Sequence, residues 1–254
     1  MNTETPLLEV SNLRKYFGGV RAVDGVSFRV YEGELIFLIG PNGAGKTTLV
    51  NLISGYLKPD SGLIAFNGRD ISRLDMASRV KLGIARSFQF VNVSWSISLL
   101  ENIAIAIASR RGINLSMLRS LESHTDVIEE AIQLAKLVGL EKNLDKLPLE
   151  VSHGDRKILD VVMTLALKPK LLLLDEPTSG VSTRDKFDII DRIVSAIKAT
   201  GISSIIVEHD MDIVFSYANR IIAMHSGRIL ADGSPEDVRS REDVRAVLLG
   251  GLYA

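Results

Sequence analysis

The sequence predicts an α/β fold: a mainly parallel sheet with helices on its faces. Three observations predict it. Apolar runs of strand length alternate with segments of helical periodicity in the last third of the chain. A continuous apolar run, Leu35-Ile36-Phe37-Leu38-Ile39, leads straight into a glycine-rich loop and then an apolar helix start. Between about residues 97 and 170 the composition shifts from β-branched runs to Leu, Ala and Lys, which marks a helical insertion.

Taken in order, Leu7-Leu8-Glu9-Val10 is a short apolar strand, and Val26-Ser27-Phe28-Arg29-Val30 alternates with period two as a half-buried strand does. Gly18-Gly19 and Glu32-Gly33-Glu34 punctuate turns. Leu63 to Phe66, Asn67-Gly68 and Arg69 to Ile71 read as a hairpin, because Asn-Gly accepts the left-handed backbone of a tight turn. Asp126 with Glu129 resembles a capping box, followed by Val127, Ala131, Leu134, Ala135 and Val138 at helical spacing and a stop at Gly139. Ile158, Val161, Val162, Leu165 and Ala166 form a second apolar helix face, ended by Pro169. Leu171 to Leu174, Ile202 to Val207 and Ile221 to Met224 are strands, with a helix carrying Phe187, Ile190, Ile193, Val194 and Ile197 between the first two. Ser234-Pro235-Glu236-Asp237 opens a final helix, with a Ser cap, Pro in the first turn and acids at the positive helix end.

Composition bounds the function. The chain has 254 residues, 46% hydrophobic and 24% charged, which excludes a disordered, collagen-like or disulfide-scaffold protein. It has no cysteine, so Cys-ligated zinc, iron–sulfur clusters and thiol nucleophiles are excluded. Thirty Lys and Arg against 31 Asp and Glu give a net charge of −1, so no nucleic-acid partner is expected. The start lacks the features of a signal peptide, and the longest candidate span, Ile103 to Ala108, is closed by Ser109-Arg110-Arg111. A cytoplasmic protein is expected, with any membrane role exerted through a partner. His124, His153 and His225 share no ligand spacing.

Gly40-Pro41-Asn42-Gly43-Ala44-Gly45-Lys46-Thr47 fits the P-loop pattern G-x-x-x-x-G-K-[ST]. Glycines let successive backbone N–H groups turn toward phosphate oxygens, and the helix that follows aims its positive end at the same anion. Lys46 is placed to reach the β- and γ-phosphates, and the Thr47 hydroxyl to ligate Mg²⁺. Leu171-Leu172-Leu173-Leu174-Asp175-Glu176 ends an apolar strand in two carboxylates, at the sheet edge where α/β folds bind ligands. Asp175 would hold Mg²⁺ through water, and Glu176 would polarise an attacking water. Seen alone, this is also the pattern of a solvated acidic turn.

Three further motifs narrow the choice. Ser87-Phe88-Gln89 lies between these two, Val151-Ser152-His153-Gly154-Asp155 just ahead of the second, and Ile206-Val207-Glu208-His209-Asp210 ends the next strand. In this order they resemble the Q-loop, signature and H-loop of ABC ATPases, and the likeness spans almost the whole chain. Tyr16-Phe17-Gly18-Gly19-Val20 with Ala22, Arg86-Ser87-Phe88-Gln89, the Ser-His-Gly signature and the Gly233-Ser234-Pro235-Glu236 helix look most like the branched-chain amino acid importer subgroup.

The resemblance implies a P-loop ATPase core with an N-terminal antiparallel β subdomain and an inserted α-helical subdomain. A single domain over 1–254 is expected: core at about 1–90 and 170–233, helical subdomain at about 91–169, C-terminal helix at 234–254. It implies that ATP lies on Gly40, Pro41, Asn42, Gly43, Ala44, Gly45, Lys46, Thr47 and Thr48, with Phe17 (or Tyr16) stacked on adenine. Thr47 and Asp175 would serve Mg²⁺, and Gln89 would touch that ion or the water and report to the membrane subunit; Glu176 would be the general base; His209 would contact the γ-phosphate and position Glu176 and water. Ser152 and Gly154 would reach ATP held by a second ATP-binding subunit, a copy of this chain or a paralogue. The other implied partners are transmembrane permease subunits and, indirectly, a solute-binding protein, at the cytoplasmic face of the membrane. The segment from Val91 to Leu100 with Trp95 is read either as a docking surface or as subdomain packing.

The chain departs from the family pattern at His153, Asp155 and Ser182. Rival readings are an importer of urea or amide-like solutes, a soluble ABC ATPase, a small-molecule kinase and a nucleotide-sensing module. The absence of a long heptad insertion and of a second cassette argues against the soluble ABC classes. The Ser-His-Gly and Glu-His-Asp motifs argue against a kinase, and Glu176 against a sensor without turnover.

Overall fold

The computed structural model describes residues 5–87, 93–113 and 124–249. Two sheets share the core. In the smaller, β1 (Leu8–Phe17) pairs antiparallel with β2 (Val20–Val30), and β4 (Ser61–Phe66) and β5 (Arg69–Asp70) extend it in the order β2-β1-β4-β5. Tyr16 stands opposite Arg21 and Phe17 opposite Val20, beside the Gly18-Gly19 turn that closes the hairpin. Asn67 and Gly68 take φ of 49° and 73°, the left-handed pair that a two-residue hairpin turn requires.

The larger sheet runs β10-β9-β3-β8-β7-β6. Its strands are β3 (Leu35–Ile39), β6 (Ile84–Arg86), β7 (Leu171–Asp175), β8 (Ser203–Val207), β9 (Arg220–His225) and β10 (Arg228–Gly233). All pairings are parallel except β9–β10. Every residue of β3, β7 and β8 is buried, as the apolar runs of β3 and of Leu171 to Leu174 require, with Ser203, Ser204 and Asp175 the polar residues carried inside. Leu35, Phe37, Ile39, Leu172 and Leu174 point to a core shared with the long helices. Ile36, Leu38, Leu171 and Leu173 point the other way, to a core shared with the small sheet and the first helix. The period of two thus welds the central sheet to both of its neighbours.

The helices are α1 (Lys46–Ser54), α2 (Met76–Leu82), α3 (Leu99–Arg111), α4 (Thr125–Leu137), α5 (His153–Leu165), α6 (Thr183–Thr200), α7 (Met211–Tyr217), α8 (Pro235–Ser240) and α9 (Glu242–Leu249). Arg79 of α2 has no exposed surface; it donates to the carbonyls of Leu52, Ile53, Ser72 and Leu74 at 2.6 to 3.2 Å. A cation there satisfies the last carbonyls of α1 and opposes its negative end. Burial brings the Arg79 pKa down to about 10.

Two local expectations are corrected. Asp126 does not open a capping box: α4 is preceded by His124 with no side-chain cap, because the Asp126 carboxylate is taken by Arg111. The capping box is at Ser98 and Glu101, which open α3, and the apolar run Ile103 to Ala108 lies inside that helix. The C-terminal helix is also not continuous. α8 ends at Ser240, Arg241 is extended, and α9 restarts with Arg241 paired to Asp243 at 2.6 Å. Among the described residues no helix is long and apolar enough to cross a membrane.

Candidate nucleotide site

The loop from Gly40 to Gly45 joins β3 to α1, so α1 aims its N-terminus at whatever the loop encircles. Both ends of the loop press against neighbouring backbone. A Cβ on Gly40 would lie 2.2 Å from the Met224 carbonyl oxygen, and one on Gly45 2.1 Å from that of Ala22. Gly45 also holds φ 102°. Glycine is therefore dictated by the packing of the loop as well as by the phosphate chemistry. The Ala44 carbonyl accepts from Gly227 N–H at 3.0 Å, tying the loop to the β9–β10 turn.

Lys46 is buried, and its ammonium donates to the carbonyls of Gly40 at 2.7 Å and Pro41 at 3.0 Å. Burial lowers its pKa, and the negative charges of Glu176 and Asp175 oppose that shift. Thr47 and Thr48 follow in the first turn of α1, Thr47 exposed and Thr48 half-buried.

β7 delivers the two carboxylates. Asp175 is buried, and its Oδ2 accepts from Arg86 Nη2 at 2.8 Å; Arg86 Nη1 also bonds Asn51 Oδ1 on α1. One guanidinium thus joins β6, β7 and α1. Removing one partner of such a buried pair leaves a charge uncompensated, at about 3–5 kcal/mol. Glu176 holds φ 51°, rare for a side chain larger than Asn and costing about 1–3 kcal/mol. Its N–H donates to the Val207 carbonyl at 3.0 Å, and its Oε1 meets His209 Nε2 at 2.6 Å. The strained backbone turns the carboxylate toward the histidine that leaves the neighbouring strand.

Glu208 is buried beneath this pair. It accepts from Thr178 Oγ1 at 2.8 Å, Thr178 N–H at 3.3 Å and His209 N–H at 3.2 Å, and burial raises its pKa. It braces the segments that carry Glu176 and His209. In the sequence Glu208 is visible only as an acid that follows the apolar Ile205-Ile206-Val207.

Ser152 caps α5, accepting from Asp155 N–H at 3.0 Å, while Asp155 accepts back from the Ser152 hydroxyl at 3.0 Å. The same Ser-x-x-Asp exchange opens α6 at Ser182 and Asp185 and α8 at Ser234 and Asp237. Asp155 and Ser182, two of the three departures from the family pattern, therefore take part in helix capping here. The His153 ring lies against Gly180, where a Cβ would stand 3.3 Å from Nε2. Ser152, Gly154, Gly180, Ser182 and Arg192 line a cavity of about 360 Å³.

Phe17 is 47% exposed, with the Lys15 ammonium 5.6 Å from its ring centre. Tyr16, the alternative aromatic, has its hydroxyl committed to Asp24 at 2.7 Å. Gln89 lies outside the described residues, as do Val91 and Asn92. Trp95 is 45% exposed. Among the described residues no three His, Asp or Glu cluster as a metal cage. The oxygen donors of Thr47 and Asp175 nevertheless suit Mg²⁺, which keeps waters and takes one or two protein oxygens beside substrate phosphates.

A P-loop between β3 and its helix, and adjacent carboxylates at the end of β7, a parallel strand one removed from β3 across β8, define a nucleotide hydrolase of the P-loop class. The comparisons then give its family. The ABC transporter family profile matches residues 23–179. The chain is 33% identical to the "probable branched-chain amino acid transport ATP-binding protein LivG" of Methanocaldococcus jannaschii, covering 98% of this chain and 95% of that one. It is 32% identical to the "high-affinity branched-chain amino acid transport ATP-binding protein BraF" of Pseudomonas aeruginosa, covering 96% and 98%. Among solved structures, the ADP conformation of an ATP-binding cassette of an ABC transporter superposes with a TM-score of 0.84 at 31% identity, covering 97% of this chain and 100% of that one. A nucleotide-free cassette superposes at 0.82, also at 31% identity, covering 96% and 98%. The chain belongs to the ABC transporter family, and its fold is that of the family's ATP-hydrolysing cassette.

Proposed function

We propose that this chain is the ATP-driven motor subunit of an importer for branched-chain or other amino acids. The observation that carries the hydrolytic part is the Glu176–His209 contact of 2.6 Å beside Lys46, whose ammonium lies within the field of Glu176 and Asp175. Likeness over nearly the full length to ATP-binding proteins of branched-chain amino acid transport supports the cargo class.

In this reading Gly40 to Thr48 hold the triphosphate, and Phe17, the aromatic with no hydroxyl to tie it down, stacks on adenine. Thr47 and, through water, Asp175 hold Mg²⁺, joined by Gln89; the ion supplies charge neutralisation at the phosphates. Glu176 takes the proton of the attacking water, and His209 orients Glu176 and contacts the γ-phosphate. Ser152 and Gly154 contact ATP on a second ATP-binding subunit, so that ATP joins the two chains and hydrolysis separates them. The helical subdomain, about 91–169, carries that signature while the core, about 1–90 and 170–233, carries the rest. The assembly sits on the cytoplasmic face of the membrane, with permease subunits and a solute-binding protein completing it.

The test is a pull-down of tagged Glu176→Gln protein with ATP from detergent-solubilised membranes of its own host. Multi-span permeases should co-purify, and their partner binding protein should bind branched-chain amino acids rather than urea. Recovery of soluble, ribosomal or DNA proteins alone would overturn the transport reading.

A further inference from the structure

Asp24 stands where the two sheets meet. Its Oδ1 accepts from the Tyr16 hydroxyl at 2.7 Å, and its Oδ2 from Arg228 Nη2 at 2.7 Å and Nε at 3.1 Å. Arg14 and Arg21 approach the same carboxylate at 3.8 and 3.6 Å. The Tyr16 and Arg228 hydrogen bonds bring its pKa down to about 2, and the bond to Asp24 raises that of Tyr16. Asp24 N–H donates to the Gly227 carbonyl at 2.8 Å, and Gly227 N–H donates to the P-loop carbonyl of Ala44 at 3.0 Å. Two residues before Asp24, the Ala22 carbonyl closes on Gly45. The residue is thus two hydrogen bonds from the phosphate loop through its backbone, and one from the aromatic tip of β1 through its side chain.

Beyond the strand pairing, the tip is held by two carboxylates and is otherwise open. Phe17 and Val20 are 47% and 65% exposed, and Gly18-Gly19 between them have no neighbours within 4 Å of a Cβ position. Asp60 clamps the far side, accepting from the Lys15 ammonium and the Tyr16 N–H, both at 2.7 Å. Asp24 is the clamp whose own backbone leads to the P-loop.

We infer that Asp24 is a positioning residue for the nucleobase, holding the Tyr16-Phe17 tip at a fixed place relative to the phosphate loop through the Tyr16 hydroxyl and Arg228. The inference rests on the reading of Phe17 as the adenine platform. It assigns Tyr16 a bracing role instead of a stacking one, and it makes the base-dependent part of nucleotide affinity run through a carboxylate that touches no nucleotide.

The test is calorimetric titration of the full chain with Mg-ATP and, separately, with magnesium tripolyphosphate, which carries the phosphates without a base. Tyr16→Phe removes only the hydroxyl; Asp24→Asn removes the charge; Phe17→Ala checks the platform itself. Because the lost hydrogen bond acts on the base only through the tip, part of its worth reaches the nucleotide, and ATP binding should weaken about 3- to 10-fold in Tyr16→Phe and Asp24→Asn. Tripolyphosphate binding should be unchanged, which also reports that each variant is folded. Equal loss for both ligands would overturn the inference, because Asp24 would then serve only the P-loop. Unchanged ATP binding in Tyr16→Phe and Asp24→Asn, with a loss in Phe17→Ala, would overturn it while leaving the platform standing. Unchanged ATP binding in Phe17→Ala would remove the platform, and the inference with it.

Discussion

The phosphate loop and the signature segment are both glycine-containing turns into a helix, yet they are built differently. At Gly40 and Gly45 a side chain would meet the backbone oxygens of Met224 and Ala22 at 2.2 and 2.1 Å. At Gly154 its nearest neighbours would be side-chain atoms, the Ile189 Cδ1 at 2.7 Å and Cγ1 at 3.3 Å. Around the P-loop the charged groups are buried and satisfied, Arg86 and Asp175 by each other and Lys46 by the carbonyls of Gly40 and Pro41. At the signature, Ser152 caps its helix from the exposed surface, and Arg192 reaches Asp155 only at 3.4 Å. One half is a rigid cradle finished within the chain; the other is a surface whose polar groups are oriented but open. That contrast suits a segment that meets ATP held on another subunit.

The sharpest way to break the comparison is a pair of alanines. Gly45→Ala should destabilise the fold by about 3 kcal/mol or more, since backbone has to move and φ 102° disfavours any side chain. Gly154→Ala should cost clearly less in urea unfolding, because its nearest contact is the end of a side chain and not backbone, and Gly154 holds no left-handed φ. Equal losses would contradict the account of the two turns. Lys46→Ala comes next: removing charge-assisted bonds to phosphate should weaken Mg-ATP binding about 10- to 100-fold by titration. Ser152→Ala should cost about 1 kcal/mol through loss of the cap, lowering the melting temperature by about 2–4 °C, and leave nucleotide affinity of the isolated chain unchanged.

The smallest effect is a pH dependence. Asp24 titrates at about 2 in the fold against an ordinary 3.8, so its contribution to stability is present above 3.8 and is lost as the pH falls toward 2. The stability gap between wild type and Asp24→Asn should therefore shrink as the pH is lowered through that window in urea titrations. A gap constant with pH would mean that the carboxylate charge is not what holds the tip of β1.

Much of this was legible in the residues. The P-loop declares itself because its residue types follow from phosphate chemistry, and β3 and β7 because burial on both faces writes itself as apolar runs, Leu35 to Ile39 and Leu171 to Leu174. Side-chain partnerships across the fold were not legible. Arg86 with Asp175 lies 89 positions apart, and Glu208 with Thr178 lies 30 apart; only the strand order β8-β7-β6 brings them together. The misplaced capping box has the same origin. Asp126 and Glu129 have suitable spacing, but Arg111 from another helix claims Asp126. The true box at Ser98 and Glu101 was hidden because the apolar stretch behind it is buried on nearly every side and shows no helical alternation. The break at Arg241 likewise depends on Asp243 folding back onto it.

The central claim is that Glu176, set by a left-handed backbone against His209, takes the proton from water while the phosphate cradle does the binding. The direct measurement is Mg-ATP affinity and steady-state ATP turnover of Glu176→Gln beside wild type. The account predicts retained affinity and turnover reduced by about 10²–10⁴-fold. Turnover equal to wild type would contradict it.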